Sequence, residues 1–195
     1  MRTIVERMLP SDFLLDLGVY MQTAAHIELA VWQTTMHAEG IDVHSAEAYR
    51  QFVAIKQSTT KLLNRFRASA SFCPGWIADR IRALADQVEQ GLETRNLAAH
   101  GAFYWEGEGQ IGAAHYFGRG PRGAREYFEV QQPATRQVVE ETIQVANQLL
   151  HEVIALRSMV YAWRFPDGLP WDDPLQVADD QSNADQSASA DHPTD

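Results

Sequence analysis

Between Asp12 and Ala38, the apolar residues Leu14, Leu17, Met21, Ala25, Leu29, Trp32 and Met36 follow one another at steps of three or four. That spacing lays them along one face of a single long helix, and it constrains the fold more than any other feature of the chain. Ser11 stands where an N-cap is expected, and Gly40 where the helix should end. A helix of this length with one apolar face needs partners of similar length to cover it.

The partners are legible further on. Ser45 caps a second predicted helix that runs to about Ser69, with Ala48, Phe52, Ile55, Leu62 and Phe66 on its stripe. Pro74-Gly75 breaks the chain before a third, from Trp76 to about Ala99, whose stripe is Ile77, Ile81, Leu84, Val88 and Leu92. Pro133 opens a fourth that reaches about Arg164, with Val139, Ile143, Ala146, Leu150, Val153 and Val160 inward. Residues 102–131 have a different character. Phe103-Tyr104-Trp105, Ile111 to Phe117 and Glu126 to Val130 are short aromatic or β-prone runs separated by glycine-rich turns, the pattern of a small β-hairpin or meander. The expected fold is mainly all-α: an antiparallel four-helix bundle over residues 1–165, with a β insert at about 102–131 between the third and fourth helices. No internal repeat is visible. After Pro166 the chain is rich in Asp, Ser, Gln and Ala, and residues 166–195 are expected to form a disordered acidic tail.

Composition narrows the class. A chain of 195 residues, 45% apolar, suits one domain with a real core. No stretch reaches the roughly 18 uncharged apolar residues of a membrane span, so no membrane partner is expected. Met1-Arg2-Thr3-Ile4-Val5-Glu6-Arg7 carries charges where a signal peptide is apolar, so a cytoplasmic location is expected. The single cysteine, Cys73, excludes an internal disulfide and a cysteine-based zinc cluster, and before Pro74-Gly75 it reads as a loop or core residue. The net charge of -10 is unevenly spread. Eight aspartates and no Lys or Arg lie beyond Pro166, which leaves 16 basic against 18 acidic residues in the body. The body is therefore near neutral and can carry local basic patches. The tail itself reads either as a solubilising end or as an electrostatic brake that competes with RNA for arginines.

One string has a chemical character: Arg95-Asn96-x-x-x-His100, at the end of the third helix and followed at once by Gly101. An imidazole takes or gives a proton near neutral pH, and a guanidinium offers a fork to a phosphate and to its more charged transition state. An asparagine can orient the imidazole or hold a phosphate oxygen. These residue types permit RNA cleavage without a metal or another cofactor. Helical geometry limits how they act together. Arg95 lies five turns from Ile77, on the apolar stripe; Asn96 falls at the stripe's edge, and His100 is about 140° around from Arg95. Asn96 and His100, four apart, share a face. Within one straight helix Arg95 and His100 do not converge; a distortion before Gly101, or a second copy of the chain, would bring them together.

The string resembles the R-x4-6-H signature of the HEPN superfamily, small four-helix-bundle proteins that include many metal-independent ribonucleases, and Asn96 stands where that family often has a polar residue. The resemblance implies an endoribonuclease that leaves 2′,3′-cyclic phosphate ends. In it Arg95 would bind phosphate, Asn96 would orient the site, and His100 would act as general base or acid. It also implies a homodimer that pairs two motifs, a role in toxin–antitoxin or other defence, and RNA or a protein antitoxin as partner.

Other readings of the same residues stand beside it. His100-Gly101 is what an ordinary helix C-terminus looks like, and Arg95 on an apolar stripe suits a structural arginine paired with Glu28, Glu140 or Glu141. The chain would then be a non-catalytic helical module that binds a protein partner or a nucleotide. No histidine has Glu three residues before it, which removes a di-iron bundle, and His151-Glu152 lacks the second histidine of a zincin. Gly118-Arg119-Gly120-Pro121-Arg122-Gly123 has the letters of a dinucleotide fingerprint but contains Pro121 and opens no helix. Its neighbourhood is read instead as a basic hairpin tip. Arg119, Arg122 and Arg125, with Tyr116, Phe117 and Tyr127 nearby, suit single-stranded RNA or simply solvent.

Overall fold

The computed structural model describes residues 3–55, 58–107, 110–119 and 126–167. By its internal contacts the chain divides into a body, residues 1–164, and a short unit, 165–195. Residues 168–195, most of the expected acidic tail, lie outside the described residues.

The body is mainly helical, with one small antiparallel sheet. Its elements in order are α1 (Val5–Met8), α2 (Ser11–Ala38), α3 (Ala46–Ile55), α4 (Thr59–Ser69), a 3-10 turn (Ala70–Phe72), α5 (Gly75–Gln90), α6 (Leu92–His100), β1 (Ala102–Gly107), β2 (Gln110–Arg119), β3 (Glu126–Pro133) and α7 (Arg136–Arg164). Among the described residues no helix is long and apolar enough to cross a membrane.

Helix boundaries depart from the expectation in four places, each for a local reason. α2 begins at Ser11 itself, with Pro10 in the cap position, where its missing N–H costs nothing. The second expected helix is two, α3 and α4, because Ser58 starts a new one: its hydroxyl accepts the Lys61 N–H at 3.3 Å. The third also divides, at Gly91, into α5 and α6. Pro133 closes β3 rather than opening α7, and the hydroxyl of Thr135 accepts the Val138 N–H at 3.3 Å to start that helix.

The main core lies among α2, α4, α5 and α7, which pack on one another. Val31, Met36, Phe66, Ile77, Ile81, Val153 and Val160 are fully shielded from water. The stripe of α2 is rotated in its middle. Ile27 and Val31, one turn apart, are buried, whereas Leu29 is 39% exposed. With α7 packed on one flank and α4 on another, α2 buries an arc set by two neighbours rather than a single seam. The α2 terminus is tied down by Arg65 of α4, which donates to the Glu39 carboxylate at 2.5 and 2.9 Å and also to Gln51 of α3. Gly40, at φ +75°, reverses the chain in the left-handed region, with the Arg164 guanidinium lying where a Cβ would stand.

The sheet runs β1-β2-β3, each pair antiparallel. Ala102 faces Ala114, Phe103 faces Ala113 and Trp105 faces Ile111. Directly opposed residues share a face, so Phe103, Ile111 and Ala113 line one side. That side packs on the start of α2 through a second, smaller core of Leu9, Phe13 and Ile111, where Phe103 meets Phe13 edge-on at 5.2 Å.

Candidate functional site

α6 carries the Arg95-to-His100 string in a helix of nine residues. Glu93 stands in its first turn and His100 in its last, the arrangement that suits the helix dipole. The Gly101 N–H closes the helix on the Leu97 carbonyl at 2.7 Å, and the chain turns directly into β1. Gly101 is extended, at φ -72° and ψ 152°. It therefore does not serve as the left-handed cap that a glycine after a histidine suggests. Glycine is needed there for space: a Cβ would come within 2.4 Å of the Leu97 carbonyl oxygen and 3.3 Å of that of Ala114. Gly101→Ala is expected to cost about 1–3 kcal/mol by forcing α6 and β2 apart. Urea unfolding of the two proteins measures this, and equal midpoints would show the junction to be elastic.

Arg95 faces a groove of about 600 Å³ lined by α2, α5, α6 and α7. Its guanidinium lies 3.2 Å from Glu28 of α2 and donates to Asn96 Oδ1, also at 3.2 Å. Glu28 in turn accepts from the Thr59 hydroxyl at 3.0 Å. Of the three carboxylates considered as structural partners for Arg95, Glu28 is the one that pairs with it. Both side chains remain about a quarter exposed, so the pair contributes at most about 1 kcal/mol to the fold. Tyr20, in the same groove, has its hydroxyl pKa pushed up by burial, and the positive charge of Arg95 acts against that. Glu141 and Glu152 also line the groove, so Arg95 is outnumbered there by three carboxylates. Such a lining favours a basic guest over a phosphate.

His100 looks elsewhere. It is exposed, and its ring lies against that of His115 on β2, with centroids 6.2 Å apart and planes at 27°. Arg95 and Asn96 are thus brought together, while His100 turns away from Arg95 and is joined by a histidine the helix pattern did not single out. The sequence marks the strands but not their register, and it is the register setting Ala102 opposite Ala114 that puts residue 115 opposite residue 101, next to His100.

Arg119 ends β2 opposite Glu126, and Arg122 and Arg125 lie outside the described residues. Cys73 is half-buried between the 3-10 turn and α5, and burial pushes its thiol pKa up against the charge of Arg164, which makes it a poor nucleophile. Among the described residues no three His, Cys, Asp or Glu side chains gather as a metal would require. The chain matches no protein-family model, no curated protein and no solved structure.

Proposed function

We propose that this chain is a HEPN-like, metal-independent endoribonuclease: an antiparallel four-helix bundle that works as a homodimer and leaves 2′,3′-cyclic phosphate ends. The observation that carries the reading is the placing of His100. It stands exposed at the junction of α6 and the sheet, on the helix that also presents Arg95 to an open groove. His100 is the proton-transfer group and Arg95 the phosphate ligand, with Asn96 holding the guanidinium in position at 3.2 Å. In one chain Arg95 and His100 serve different faces, so the reading needs a second copy to bring an arginine to each histidine. Arg95 must also exchange Glu28 for phosphate. A pair worth at most about 1 kcal/mol does not prevent this, because a phosphate takes the guanidinium fork with two charge-assisted hydrogen bonds. Defence or stress response, with a protein antitoxin as partner, is the setting we infer from the same resemblance.

The test is RNA cleavage in EDTA by the wild-type protein, Arg95→Ala and His100→Ala, with folding checked by circular dichroism. Cleavage to cyclic phosphate ends that falls about 100-fold or more in each folded variant is the expected result.

One observation favours a second reading. The Arg95–Glu28 pair and the two further carboxylates suit a non-catalytic module whose groove takes a basic segment of a protein partner. Equal cleavage by all three proteins, or none, would favour this reading over the first.

A further inference from the structure

Strand scission at a ribose phosphate moves two protons, one off the 2′-hydroxyl and one onto the leaving 5′-oxygen. A single imidazole is badly placed for both, because the attacking and leaving oxygens lie on opposite sides of phosphorus. The body holds a second imidazole where the first one needs it. His100 is the last residue of α6, Gly101 is the only link to β1, and the Ala102–Ala114 pairing then sets His115 alongside. The two rings are near-parallel with centroids 6.2 Å apart. His100 is exposed and His115 half-buried.

We infer that His100 and His115 of one chain form the complete proton-transfer pair of the reaction, a proposal that rests on the ribonuclease reading above. The neutral imidazole of the pair takes the 2′-hydroxyl proton as that oxygen bonds to phosphorus. The imidazolium gives its proton to the 5′-oxygen as the P–O5′ bond breaks. The products are a 2′,3′-cyclic phosphate and a 5′-hydroxyl. One histidine has gained a proton and the other has lost one, so no net proton is consumed and exchange with water resets the pair. Each ring nitrogen needs to come within about 3 Å of its oxygen, which two imidazoles at this spacing can do around one phosphodiester. A second copy of the chain is then needed for phosphate binding, not for acid–base chemistry.

The experiment uses the full chain, an oligoribonucleotide and EDTA, with rates followed across neutral pH. Wild type is expected to show a bell-shaped profile. His115→Ala should lose about 10²–10⁴-fold and one limb of the bell; His100→Ala should lose a similar factor and the other limb. The double variant should be no slower than the poorer single one, as for residues that act as a unit. An RNA with sulfur at the 5′-bridging position releases a thiolate that needs no proton, and it should restore the rate of one single variant but not the other. His115→Gln, which keeps size and polarity, serves as the variant if His115→Ala does not fold. If the His115 variant cleaves at the wild-type rate with an unchanged profile while His100→Ala is inactive, the pair is refuted and the ribonuclease reading survives. If wild type itself does not cleave RNA, the ribonuclease reading falls and the pair falls with it.

Discussion

Phe66→Ala is expected to destabilise the body by about 3–5 kcal/mol. The ring, on α4, is fully shielded, in a core whose other members (Val31, Met36, Ile77, Ile81 and Val153) are also shielded and come from three further helices, α2, α5 and α7. Its removal therefore forfeits the transfer energy of the ring and leaves a cavity that α2, α5 and α7 cannot close without disturbing one another. For a chain of this size the loss corresponds to a fall in Tm of roughly 10 °C, read by thermal or urea unfolding. Leu29→Ala is the control. Both residues sit on apolar stripes in the sequence, but Leu29 is 39% exposed and its truncation should cost less than about 1 kcal/mol. Similar losses at the two positions would contradict the rotation of α2 described above.

Acid is expected to weaken the fold through His37. This residue is 3% exposed in the last turn of α2, with the Tyr161 ring edge-on at 5.1 Å. Burial, reinforced by the positive charges of Arg157 and His44 and opposed by Asp42, lowers its pKa from 6.5 to about 4. A helix C-terminus favours a cation by up to about 1 kcal/mol, so desolvation wins here. The folded state holds the neutral ring, whereas the unfolded chain takes up a proton as pH falls below 6.5. The stability owed to His37 is therefore complete above pH 6.5 and is lost as pH falls toward 4. Between neutral pH and pH 4.5 the wild-type protein should lose about 2 kcal/mol more than His37→Gln, measured by urea unfolding at each pH. Parallel pH dependences for the two proteins would sink the assignment. Arg157, itself 3% exposed and donating to Gln33 at 2.8 Å, shares the site, so the comparison keeps it intact.

The helices and strands were largely legible in the sequence because their signals are local. A stripe at steps of three and four marks α2, α5 and α7, and alternation between glycine-rich turns marks β1, β2 and β3. Two breaks inside expected helices, at Ser58 and Gly91, have local causes as well, but there the apolar stripe runs on through the break and hides it. The candidate site was legible only in part. The face of Arg95, away from that of His100, follows from the helical repeat alone. That Glu28 rather than Glu140 or Glu141 would pair with Arg95 depends on how α6 packs beside α2.

By itself, then, the sequence determined most of the helical and strand segments, that the long first helix ends at Gly40, and that Arg95 and His100 lie on different faces of one helix. These follow from backbone geometry acting over a few residues. Tertiary structure alone decided that Ile27 and Val31 go inward and Leu29 outward, that Glu28 occupies Arg95, and that His115 stands beside His100. Each of these depends on contacts between residues far apart in sequence, where a small change in helix rotation or strand register exchanges one neighbour for another.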